Sequence, residues 1–79
     1  MRVIVRFSVD GESNGALRNK LTGRLQRAGF VRAQNTATYE NANINEGDLA
    51  TSLAGFWRAA NNHQGPGRLD HFWLYSDRQ

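Results

Sequence analysis

Hydrophobic and polar positions alternate over residues 2–9, with Val3, Val5 and Phe7 on one side and Arg2, Ile4, Arg6 and Ser8 on the other. A period of two, rich in β-branched side chains, predicts a strand with one face on a core. Residues 10–15 (Asp-Gly-Glu-Ser-Asn-Gly) follow as a turn, in which Ser13 or Asn14 is placed to cap a helix. From Ala16 to Ala28 the period changes: Leu17, Leu21, Leu25 and Ala28 fall on one stripe, with Arg18, Lys20, Arg24 and Arg27 around it. This is an amphipathic helix. Gly29 suits the position just past its end, and Arg24 and Arg27 suit the negative end of the helix dipole.

Phe30–Gln34 and Thr36–Glu40 read as extended, either as two strands joined at Asn35 or as one long bent strand. Residues 41–47 lack periodicity and read as a loop. Asn45 then caps a second helix, with Asp48 three residues on in a position like that of a capping box. Leu49, Leu53, Phe56 and Ala60 form its expected buried stripe, widened by Ala50, Ala54 and Trp57. Residues 61–67, with Gly65, Pro66 and Gly67, break the helix, and the aromatic-rich run Leu69–Ser76 reads as a last strand.

The resulting order, β-α-β-β-α-β, predicts an α/β (α+β) fold: a ferredoxin-like sandwich in one domain over residues 1–79. Its sheet has four antiparallel strands, with both helices on one face, because right-handed crossovers leave few other arrangements. The opposite face of the sheet stays free to bind RNA, to pack a second subunit or to meet solvent.

Composition narrows the classes. A chain of 79 residues buries only roughly 60–65% of its unfolded surface, so its core is marginal and a homodimer is the expected way to add buried area. The absence of cysteine excludes disulfide frameworks and thiolate metal sites. A mean hydropathy of −0.64 fits a soluble globular protein, and no apolar run approaches the ~20 residues that cross a bilayer. The start, Met1-Arg2-Val3-Ile4-Val5-Arg6-Phe7, is too short and too charged for a signal peptide, and a cytoplasmic location is expected.

The net charge of +3 is unevenly placed: residues 1–40 hold seven basic and three acidic residues, residues 41–79 three basic and four acidic. All the basic residues but Lys20 are arginine, whose planar fork suits phosphate. One basic face is expected, either solvated or nucleic-acid-binding.

No serine stands in a recognisable nucleophile context, and Gly11 and Gly15 do not make a phosphate-cradling loop. His63 and His71 lie eight apart with no metal-binding spacing. Asp70 could orient the His71 ring as a general base, but neighbours on a regular strand point to opposite faces. Asp10, just beyond the end of the first strand, is either a turn-closing carboxylate or a ligand for magnesium, which prefers oxygen donors; a dimer axis nearby would bring two copies together. Ribonucleoprotein-type sheets stack bases on rings of their central strands. Here the third strand offers Tyr39 alone and the glycine-aromatic motif is missing, so Phe72, Trp73 and Tyr75 are assigned to packing or a subunit interface.

The stretch from Ala28 to Tyr39 (Ala-Gly-Phe-Val-Arg-Ala-Gln-Asn-Thr-Ala-Thr-Tyr), followed by Asn45-Glu46-Gly47-Asp48, resembles the virulence-associated protein D family. It is similar, more distantly, to the small CRISPR-associated endoribonuclease subunit of the same fold. The resemblance covers residues 1–60. It implies a cytoplasmic ferredoxin-like homodimer of a toxin–antitoxin or phage-defence system, with an antitoxin or defence-system partner, that cleaves RNA or holds RNA or DNA. These families carry an aspartate directly after the aromatic residue that ends the first strand, and a dimer pair of these aspartates is their metal site. Here Ser8 follows Phe7, and the nearest carboxylate is Asp10, of the same parity and roughly 7 Å further along. The implied site is Asp10 as magnesium ligand and Ser8 as a secondary oxygen, with Arg6, Arg18 and Arg32 steering phosphates and the metal activating water. The alternative is a non-catalytic dimer of the same fold that binds nucleic acid or another protein.

Overall fold

The computed structural model describes residues 1–12, 14–33 and 37–77. Six elements follow one another: β1 (Arg2–Asp10), α1 (Ala16–Arg27), β2 (Val31–Arg32), β3 (Thr38–Asn41), α2 (Glu46–Asn61) and β4 (Arg68–Asp77). The strands form one sheet in the order β2-β3-β1-β4, every adjacent pair antiparallel. This is the expected ferredoxin-like α+β sandwich. Neither helix is long and apolar enough to cross a membrane.

The strand alternation of β1 is what seats the core. Val3, Val5 and Phe7 are buried, as are Leu17, Leu21 and Leu25 from the stripe of α1. Phe30, Tyr39, Ile44, Phe56 and Ala59 complete the core. Phe56 is its hub: its ring centre lies 5.4 Å from that of Phe7 and 5.2 Å from that of Phe72. The stripe of α2 is rotated from the one expected. Phe56 and Ala59 are buried, Leu49, Leu53 and Ala60 only half-buried, and Trp57 is 51% exposed. Trp57 sits at the outer edge of the helix with its ring edge-on to Phe72, centres 4.7 Å apart.

The start of α1 differs from expectation. Gly15 occupies the cap position with φ 75°, and no side chain there caps the helix. Asn14 Oδ1 accepts a bond only from the Ala16 amide, and Ser13 lies outside the described residues. The helix is capped instead by Glu12, whose carboxylate accepts the Leu17 amide at 2.8 Å and that of Arg18 at 3.3 Å. A carboxylate from upstream thus supplies the anion that the positive end of the helix dipole favours. The other end is as expected: Gly29 has φ 91°, its amide bonds the Gln26 carbonyl, and the Phe30 amide bonds that of Leu25. This pair of bonds is a Schellman stop, and it drives Phe30 into the core. Asn45 caps α2 through its Oδ1, which accepts the Asp48 amide at 2.7 Å.

Between the helices, β2 is shorter than the extended run expected, and Gln34, Asn35 and Thr36 lie outside the described residues. Asn41 belongs to β3 rather than to the loop, opposite Val3. Asp10 is the last residue of β1, opposite Arg68, rather than a turn residue beyond it.

Candidate nucleic-acid interface

The side chains of β1 that do not enter the core line the free face of the sheet. Along that face Ile4 stands between Glu40 of β3 and Tyr75 of β4, Arg6 between Thr38 and Trp73, and Ser8 beside His71. Tyr75 and Trp73 are 44% and 53% exposed. Their rings lie parallel within 12°, centres 6.2 Å apart. Arg6 is exposed and has no carboxylate partner among the described residues. The face therefore carries two flat aromatic surfaces beside an unpaired guanidinium, the combination that stacks bases and holds phosphate in single-stranded nucleic acid.

Tyr39, the ring considered for base stacking, points the other way. It is buried, stacks on Phe7 at 5.8 Å, and its hydroxyl is paired with Thr22 Oγ1 at 2.9 Å. The exposed rings of the free face are on β4, and only Phe72 of the three β4 aromatics serves packing.

At one end of this face β4 bulges. Ser8 pairs with His71 and Val9 with Leu69, so Asp70 is an extra residue. A bulge of this kind turns two successive side chains to the same side. Asp70 Oδ2 consequently lies 2.7 Å from His71 Nδ1, which corrects the expectation that neighbours on this strand face apart. Ser8 Oγ is 3.4 Å from the same ring nitrogen. The signal was present in the sequence: Leu69 and Phe72 both pack against the core, yet differ in parity, which requires one extra residue between them.

The residues expected to form the site are not all together. Ser8, Asp10 and Arg6 fall on β1 at the free face, whereas Arg18 projects from α1 in the helix layer and Arg32 lies on the edge strand β2. The magnesium reading does not fit one chain. Among the described residues no three His, Asp or Glu side chains come close enough together to hold a metal, and Asp10 is one exposed carboxylate. His63 is engaged elsewhere, its Nδ1 3.1 Å from Lys20 Nζ.

The cationic surface lies in the helix layer. Lys20, Arg24 and Arg27 of α1 and Arg58 of α2 line a groove of about 370 Å³, and none has a carboxylate partner among the described residues. Gly23 lies on its floor, where an added Cβ would meet nothing within 4 Å. Four cations without a carboxylate partner among the described residues attract any polyanion. No family model, curated protein or solved structure matches this chain.

Proposed function

We propose that this protein binds nucleic acid, with single-stranded RNA lying across the free face of the sheet. The observation that carries this reading is the exposed, parallel Trp73–Tyr75 pair beside unpaired Arg6. Each ring stacks a base whatever its identity, and Arg6 meets the backbone. The four-cation groove between the helices supports the same ligand class by drawing polyanions to the molecule. Titration of a labelled single-stranded RNA at low and at moderate salt tests the reading. Binding that weakens with salt and with Trp73→Ala supports it, and no binding at low salt refutes it.

A second reading follows from the resemblance to virulence-associated protein D: a homodimeric, magnesium-dependent endoribonuclease of a toxin–antitoxin or phage-defence system. In its favour, Asp10, Ser8 and Arg6 are all on β1 with free-face parity. The described residues of one chain hold no such ligand set, so this reading needs the Asp10 carboxylates of two subunits and is tested by sizing the protein and assaying cleavage with and without magnesium.

A further inference from the structure

The geometry points to a metal-independent RNA-cleaving site at the bulged end of the free face, with His71 as general base and Asp70 as the residue that positions it. This rests on the proposal that RNA lies across that face.

The bulge is the first ground. It places an extra residue at Asp70, and bulges often serve to re-aim a side chain beside a site. At 2.7 Å the Asp70 carboxylate accepts a hydrogen bond from Nδ1–H, which fixes the ring's orientation and, in the neutral ring, leaves the lone pair on Nε2. The His71 side chain is 82% exposed, and among the described residues both of its contacts are at Nδ1, so Nε2 is open to a ligand. Ser8 touches that same Nδ1 rather than Nε2, so the base nitrogen does not activate the Ser8 hydroxyl. The nucleophile therefore comes with the ligand. RNA carries one, the 2′-hydroxyl beside each phosphorus.

Neighbouring residues supply the remaining parts. Arg6 occupies the next free-face position of β1, diagonal to His71 and about 7–8 Å away between backbones, within reach of its long side chain. Trp73 and Tyr75 follow His71 on the same face of β4 and hold the adjoining bases. In the step itself His71 Nε2 takes the 2′-hydroxyl proton, the 2′-oxygen bonds to phosphorus, and the P–O5′ bond breaks. The departing 5′-oxygen takes a proton from water, and His71 later returns its own to solvent. The products are a 2′,3′-cyclic phosphate and a 5′-hydroxyl end. Arg6 offsets the charge that gathers on the phosphoryl oxygens.

The test incubates the full chain with an end-labelled single-stranded RNA in excess chelator, beside the same oligonucleotide carrying 2′-O-methyl groups and beside its DNA version. Cleavage of the RNA alone, leaving 2′,3′-cyclic phosphate ends, is expected. His71→Ala should lower the rate by about 100-fold or more while RNA affinity is kept, since a general base contributes roughly 10²–10⁴-fold. Asp70→Asn should lower kcat with KM unchanged, and Asp70→Glu should recover part of it. RNA that binds but is not cut overturns this inference and leaves the binding reading standing. Cleavage that needs magnesium, or that survives in His71→Ala prepared in the same way, overturns it too. Failure to bind RNA at all removes both.

Discussion

Gly67 and Glu12 are packed so closely that a Cβ on Gly67 would lie 2.6 Å from the Glu12 Cβ. The glycine, at φ 101°, immediately precedes β4, while Glu12 caps α1. The entry to the last strand and the start of the first helix are thus fixed against each other. Gly67→Ala is expected to cost about 1–3 kcal/mol, from the backbone conformation alone, before the clash is counted. Glu12→Ala, which removes only the cap, should cost about 1 kcal/mol. Urea unfolding of the two variants checks the order.

Phe56 is fully buried and touches the rings of Phe7, Trp57 and Phe72. Phe56→Ala should destabilise the domain by about 3–5 kcal/mol, which a chain of this size cannot absorb without partial unfolding at ambient temperature. Loss of the cooperative thermal transition, followed by circular dichroism, is the expected result.

Gly23 lies within α1 with open space where its Cβ would be. No packing requires a glycine there, so Gly23→Ala should stabilise the helix by up to about 1 kcal/mol. A lowered melting temperature would show that the groove floor is tighter than its geometry implies.

Much of this fold was legible in the sequence, because its strongest signals are local. The four-residue spacing of Leu17, Leu21 and Leu25, the strict alternation of β1, the Gly29 stop and the Asn45 cap each depend on a few neighbouring residues. What was not legible depends on partners distant in the chain. Glu12 competes with Asn14 for the start of α1, and nothing local shows that Gly67 makes room for it. The three β4 aromatics could not be told apart from the sequence, because only the pairing of β4 with β1 decides that Trp73 and Tyr75 lie on the free face and Phe72 on the core. The bulge that brings Asp70 onto His71 was concealed by the rule that strand neighbours diverge, although the mismatch between Leu69 and Phe72 encoded it.

The helix groove and the free face lie on opposite sides of the sheet, which separates their roles. Arg24→Gln with Arg58→Gln should slow RNA association at low salt and leave dissociation nearly unchanged, since charges outside the contact act by steering. Trp73→Ala should instead speed dissociation, with affinity falling about 5- to 150-fold, as expected for the loss of one base stack. Stopped-flow kinetics of the variants measures both.

The most direct measurement is an NMR titration of the isotope-labelled protein with a short single-stranded RNA. The largest shifts are expected on Ser8, His71, the Trp73 indole N–H and Tyr75, with smaller changes on Arg24 and Arg58. Shifts confined to the groove between the helices, or none at low salt, would contradict it.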